Sequence, residues 1–329
     1  VHPDVLPAEF VGQLLGERVH ARLGEAVEAR VQVRRGGGLV DDRPAPALAH
    51  RSVTGTGAGE RAHLVHGHEA GEVVPVDAHE RVAPRTRSAL EALAARGTAV
   101  GLASGRYWSL ITGAAAEAGP AVRFGIASNG SVIGSFADDR IIDRLTIERP
   151  TFVGVVQSLR AADRRFGFTV QTDDFMVYER GFLDRSPLVP KGEEIHDVLE
   201  YDAAEPIKMW VFHPNHDEDA LIEVLRPLLP PGLGAGPTSL MAAEVGPAGV
   251  DKANGVARLA QHLGVDRLDV MTFGDNSNDR TMLRWAGRSV ALANADDATK
   301  RCATAVTSHT HDHDGVARYL EDLVSAADR

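Results

Sequence analysis

The chain is short of sulfur, lysine and aromatic side chains. Of its 329 residues only one is cysteine, Cys302, so no internal disulfide framework can form. A lone thiol is expected to pack as a small apolar side chain in a reducing compartment. Aromatic residues make up 5% and only four lysines occur, Lys191, Lys208, Lys252 and Lys300. Positive charge is in deficit, with Lys+Arg 35 against Asp+Glu 46, a formal net charge of −11. That balance argues against sequence-independent binding to nucleic acid or to anionic lipid. No apolar run approaches the roughly 18 residues that a bilayer span needs. No basic stretch followed by an apolar one opens the chain, so no secretory signal is expected. These absences predict a cytoplasmic protein that partners neither nucleic acid nor membrane.

What is present divides unevenly. Residues 1–70 hold one aromatic side chain, Phe10, and no lysine, while half of the chain's 14 histidines lie before position 80. Breakers recur at Arg34-Arg35-Gly36-Gly37-Gly38 and Asp41-Asp42-Arg43-Pro44-Ala45-Pro46. Segment 10–32 has only a thin apolar stripe. So little large apolar surface does not offset the entropy of ordering the segment. Residues 1–70 are therefore read as a disordered extension or as sequence outside the native reading frame, with an accessory domain as the alternative.

From about residue 72 the pattern becomes periodic. Helices are predicted over 85–96 (ending at Gly97), 107–118, 252–263, 278–286, 296–303 and about 315–326. Short apolar strands alternate with them at 98–103, 124–127, 269–273, 289–292 and 304–307. Strands alternating with helices imply a doubly wound parallel sheet, an α/β fold. The stretch 134–246 differs. It offers strands at 169–172, 175–178 and 207–212 and helices near 151–162 and 217–229, which makes it an inserted α+β domain. The division is an extension over 1–70, a core from 71–133 and 247–329, and an insertion over 134–246.

In open parallel sheets ligands bind at the carboxyl ends of strands. After strand 269–273 comes Gly274-Asp275-Asn276-Ser277-Asn278-Asp279. Two carboxylates four residues apart at the mouth of a helix suit a hard cation such as Mg2+; an Asx-turn that caps the helix is the plainer reading. After strand 98–103 comes Ser104-Gly105-Arg106, whose hydroxyl can donate to a phosphoryl oxygen or simply cap the next helix. Ser128-Asn129-Gly130 follows strand 124–127 as a turn that puts polar groups at the same edge. Lys252 opens a helix and can balance phosphate charge, or be solvated. The tract His309-Thr310-His311-Asp312-His313-Asp314 has no fixed ligand geometry and is read as a solvated loop.

Taken together and in order, Ala103-Ser104-Gly105-Arg106, Ser128-Asn129-Gly130, Lys252 and Gly274-Asp275-Asn276-Ser277-Asn278-Asp279 resemble the haloacid dehalogenase-like (HAD) hydrolases. The similarity is to the Cof-type, subfamily IIB branch of sugar-phosphate phosphatases. It continues through Met282-Leu283, Ala286-Gly287, Val290-Ala291, Asn294-Ala295, Lys300 and Asp314-Gly315-Val316-Ala317, and covers about 82–329. The resemblance implies a HAD-like core with a large (type C2) cap over 134–246. It implies a Mg2+-dependent phosphatase of small phosphorylated metabolites working through an aspartyl-phosphate intermediate. Ser104 would hold the transferring phosphoryl group, with Gly105, Arg106, Asn129, Gly130 and Asn278 around the phosphate. Lys252 would screen nucleophile and phosphate, and Asp275 and Asp279 would serve the metal. The family's first motif, Asp-x-Asp-Gly-Thr, has no counterpart upstream. The nearest substitute is Val73-Val74-Pro75-Val76-Asp77-Ala78-His79, which makes Asp77 the candidate nucleophile. A member without a nucleophile, binding Mg2+ and phosphate only, is the alternative.

Overall fold

The computed structural model describes residues 62–66, 82–180, 192–202, 204–238 and 242–327. The chain divides into two units, a core and an inserted unit.

The core is built on one eight-stranded sheet. Its strands are β1 (Ala62–His66), β2 (Ala99–Ala103), β3 (Val122–Ala127), β4 (Val132–Ser135), β5 (Arg140–Arg144), β12 (Val270–Gly274), β13 (Arg288–Ala291) and β14 (Ala305–Val306). Six further strands, β6–β11, lie in the insertion. The order across the core sheet is β14-β13-β12-β1-β2-β3-β4-β5. From β14 to β3 the pairings are parallel, and β4 turns back antiparallel on β3. Strand order therefore reverses direction at β1, the switch point where a doubly wound sheet opens a crevice at its carboxyl edge.

Helices cover both faces. Side chains on successive strand residues point to opposite sides, so Met271 and Phe273 join Val100 and Leu102 in one buried cluster while Val270 joins Ile126 in another. The first cluster is sealed by α1 (Pro84–Ala94), α2 (Trp108–Ala118) and α7 (Gly315–Ala327) through Leu90, Leu93, Ala115, Ala118, Val316 and Leu320. The second is sealed by α5 (Lys252–Leu263) and α6 (Arg280–Trp285) through Val256, Leu259 and Met282. Local signals set the ends of these helices. Pro84 sits in the first turn of α1, where its missing N–H costs nothing. In α5 the Asp251 side chain caps the N-terminus by accepting from the Asn254 N–H, and Gly264 ends the helix at φ +69°.

The insertion carries its own six-stranded sheet, β10-β11-β9-β6-β7-β8. These strands are β6 (Gly167–Gln171), β7 (Met176–Glu179), β8 (Gly192–Ile195), β9 (Lys208–Phe212), β10 (Leu233–Pro237) and β11 (Ala243–Pro247), with helices α3 (Arg149–Ala162) and α4 (Glu218–Leu225). Phe168, Val170, Met209, Val211 and Val245 pack on Phe152, Val156, Leu159, Leu221 and Leu225 from these helices. The alternate residues of the same strands mix polar and aromatic side chains. Gln171 stands opposite Lys208 and Trp210 opposite Glu244. The Lys208 Nζ lies 2.7 Å from the Glu244 carboxylate.

The predicted α/β architecture with an inserted α+β domain is found, and three boundaries move. The insertion runs over 144–250, not 134–246, because β4 and β5 extend the core sheet; residues 106–110 group with it. The central slot beside β12 and β2 is filled by 62–66, so the extension read over 1–70 contains a core strand. The apolar run before the candidate Asp77, Val73-Val74-Pro75-Val76, lies outside the described residues, as does segment 10–32. Pairing is made by the backbone. The short apolar pair Leu64-Val65 was too weak a signal to reveal a strand whose partners are 37 and 208 residues away.

Candidate active site

The candidate residues of the core converge on the carboxyl edge of the sheet at the strand-order reversal. Ser104 follows β2, is buried, and donates its backbone N–H to the Ile126 carbonyl on β3. Its own carbonyl accepts from the Asn129 N–H at 2.9 Å. The loops after β2 and β3 are thus locked to each other.

The turn after β3 is strained. Ser128 and Asn129 have φ of +54° and +51°, followed by Gly130 at +98°. Left-handed backbone costs an ordinary residue roughly 1–2 kcal/mol, and such strain gathers at functional sites. The surroundings hold it in place. Arg258 of α5 donates to the Gly130 carbonyl at 2.8 Å, and a Cβ at Gly130 would stand 2.0 Å from the Asp251 carbonyl oxygen. Only glycine allows the turn to press against the start of α5. The result directs the Asn129 side-chain oxygen to the Asn278 amide, which donates to it at 3.2 Å.

Lys252, the first residue of α5, is fully buried. It is no solvated lysine. Its Nζ lies 3.0 Å from Asp279 Oδ1, and Asp279 is fully buried too. The other oxygen, Oδ2, accepts the backbone N–H groups of Asp275 and Asn276 at 3.0 and 2.9 Å. Asn276 and Asp279 form a reciprocal capping box, so the capping reading of this loop holds in part. Gly274 makes room for it: a Cβ there would stand 2.6 Å from Asp279 Cβ. Both Asp279 oxygens are therefore engaged within the chain. Asp279 holds Lys252 and folds the loop.

Asp275 differs. It is 8% exposed, and its Oδ2 accepts from the Asn294 amide at 2.6 Å. Among the described residues no hydrogen bond to its Oδ1 is present. One presented carboxylate oxygen suits a hard cation. Among the described residues no group of three or more His, Cys, Asp or Glu could hold a metal ion. Mg2+ tolerates so sparse a set, because it is usually held by one or two carboxylates and keeps several waters or phosphate oxygens.

Arg106 groups with the inserted unit. Asp77 lies outside the described residues. Cys302 is half-buried, its Sγ 3.1 Å from the Ala298 carbonyl. His311–His313 form one exposed turn, and among the described residues no metal cluster arises there. The sequence reading gave Asn294 no role, although Asn294-Ala295 was part of the recognised pattern.

A family model for haloacid dehalogenase-like hydrolases matches residues 76–320. The chain belongs to this family. Among curated relatives of this HAD-like hydrolase, the putative phosphatase YxeH of Bacillus subtilis is 45% identical over 75 residues, 23% of this chain and 27% of the relative. The 5-amino-6-(5-phospho-D-ribitylamino)uracil phosphatase YitU of the same organism is 40% identical over 82 residues, 25% of this chain and 30% of the relative. These matches span under a third of either relative's length. Over the whole fold, the HAD phosphatase BT1666 of Bacteroides thetaiotaomicron superposes with TM-score 0.67 at 23% identity, covering 84% of this chain and 98% of that one. Among the described residues of the HAD-like chain, no helix is long and apolar enough to cross a membrane.

Proposed function

We propose that this HAD-like protein is a Mg2+-dependent phosphatase of small phosphorylated metabolites, sugar phosphates in the first place, acting in the cytoplasm. The observation that carries the reading is the convergence of Ser104, Asn129, Lys252, Asp275 and Asn278 on one sheet edge. Within it a buried ammonium is paired to one aspartate while a second aspartate presents an oxygen. The ribityl phosphate in the name of YitU is chemistry of the same class.

The residues divide the work. The Ser104 hydroxyl and the Asn278 amide donate to the phosphoryl oxygens. The Lys252 ammonium, fixed by Asp279, offsets charge that develops on them, a preorganised arrangement that needs no reorientation during reaction. Asp275 would hold Mg2+, which when bound supplies further positive charge to the phosphoryl group. A carboxylate attacks phosphorus, the leaving group departs with its oxygen, and water hydrolyses the resulting acyl phosphate. Asp77 is the candidate for that carboxylate, and the insertion selects the leaving group.

A second reading has its own observation. β1 lies between β2 and β12, with His66 level with Ala103. The residues that follow it in sequence, Gly67-His68-Glu69, contain no aspartate. On that reading the protein binds Mg2+ and phosphate without hydrolysis.

One experiment separates the two. Phosphate release from p-nitrophenyl phosphate and a sugar-phosphate panel is measured with and without Mg2+, for the parent chain, Asp275→Asn and Asp77→Asn. Release that needs Mg2+ and is lost in both variants establishes the first reading. Release lost only with Asp275→Asn keeps the phosphatase and removes Asp77. Folded parent protein that binds Mg2+ and releases nothing leaves the second reading.

A further inference from the structure

Asn294 is clamped from both ends. β13 runs parallel to β12, and the pairing continues past its end because Leu292 donates its N–H to the Gly274 carbonyl at 3.0 Å. The next residues turn back, with the Ala295 N–H on the Leu292 carbonyl at 2.9 Å and the Ala293 N–H on Thr307 Oγ1 at 3.0 Å. Thr307 in turn donates its hydroxyl to the His309 carbonyl at 2.6 Å. This frame delivers the Asn294 side chain between two partners. Its Oδ1 accepts the His311 N–H at 3.0 Å, and its Nδ2 donates to Asp275 Oδ2 at 2.6 Å. The orientation is fixed by the partners, since a flipped amide would set N–H against N–H and oxygen against carboxylate.

The two aspartates of the loop are thereby treated differently. Asp279 is neutralised by a buried ammonium, and Asp275 is held by a neutral amide. Among the described residues no cationic side chain pairs with Asp275. An amide fixes the direction of a carboxylate without cancelling its charge, so the negative charge at Asp275 remains for a cation. Outer partners that orient a ligating carboxylate typically contribute 10–100-fold in metal affinity.

We propose that Asn294 is a positioning residue: it holds Asp275 Oδ2 so that Oδ1 faces the cation, and the backbone of the His309–His313 loop holds Asn294. This rests on Asp275 being the Mg2+ ligand. The residue itself touches no substrate.

The test is calorimetric titration of Mg2+ into the full-length chain without substrate, alongside thermal unfolding in EDTA. Asn294→Ala and the less disruptive Asn294→Ser are compared with the parent and with Asp275→Asn. A rise of about 10–100-fold in Mg2+ dissociation constant, for protein still folded in EDTA, is expected in either Asn294 variant. A folded variant that binds Mg2+ within twofold of the parent overturns the proposal, because a purely structural role lowers the unfolding temperature and leaves the affinity of folded protein unchanged. A parent that binds no Mg2+, or an Asp275→Asn variant that binds as the parent does, overturns the metal assignment and this proposal with it. Lost affinity in Asp275→Asn with intact affinity in both Asn294 variants overturns this proposal alone.

Discussion

Asp279→Asn is the sharpest perturbation of the loop, because it keeps the shape and removes only the charge. In the parent the carboxylate meets three donors: the Lys252 ammonium and the N–H groups of Asp275 and Asn276. An asparagine has one acceptor oxygen and an NH2 group, so at least one donor must face a donor. The ammonium has no route to water, since Lys252 is fully buried. Breaking a buried pair from one side costs about 3–5 kcal/mol. At roughly 2–4 °C per kcal/mol for a domain of this size, the unfolding temperature should fall by about 6–20 °C. Adding Lys252→Met removes the stranded charge, and the double variant should be more stable than the sum of the single effects by at least about 1 kcal/mol. Urea unfolding followed by circular dichroism measures all four proteins. A single-variant loss below about 1 kcal/mol, or strict additivity in the double variant, would refute the view that this pair holds the site together.

Other consequences are as direct. Gly274→Ala should destabilise by about 1–3 kcal/mol, because the added Cβ meets the pinned Asp279; an unchanged urea midpoint would show that the loop yields. Gly113 of α2 and Gly154 of α3 have open space where a Cβ would go. Alanine there should raise stability by about 0.5–1 kcal/mol each, read from the same denaturation curves. In the insertion, burial pushes the His213 imidazole below its usual value, against an opposing hydrogen bond from Asp163. The unfolded chain takes up that proton first, so stability should decline as pH falls below about 6.5. His213→Gln should flatten the decline, and a slope unchanged between pH 5 and 7 would rule His213 out as its source. The Arg165 guanidinium beside Asp163 holds that carboxyl well below the usual range. Its stabilisation is present above about pH 4 and is lost as pH falls toward the depressed folded value; Asp163→Asn should remove this acid limb and, because it also removes the partner that opposes burial at His213, should leave the decline below about pH 6.5 at least as steep.

Much of the site was legible because its residues lie beside strong local signals. Lys252 opens a helix ended by Gly264, and Asp275 follows an apolar five-residue strand. The helix predicted over 252–263 is found at Lys252–Leu263. What sequence could not show is how charges are shared. The spacing of Asp275 and Asp279 suggested two carboxylates converging on one metal; only the fold reveals that Lys252, 27 residues before Asp279, engages one of them. Asn294 was equally hidden, since its partners at 275 and 311 come together through parallel strand pairing. The insertion boundary slipped by ten residues because β4 and β5 form a turn-back that carries no helix–strand alternation. The helix predicted over 278–286 shortens to Arg280–Trp285, preceded by a tight turn over Ser277–Asp279, because the capping box spends those residues on the loop.

The position of β1 sets a limit on how this protein can be cut. The family match begins at residue 76, and a fragment started there would look complete by that measure. It would lack the strand that joins the β2–β5 half of the sheet to the β12–β14 half. Two interior strands would each be left with a naked row of N–H and C=O groups, the template on which sheets stack edge to edge. A trimmed protein should therefore be recovered as aggregate while one begun before Ala62 stays dispersed, and the strand with the weakest sequence signal would be the one that decides solubility.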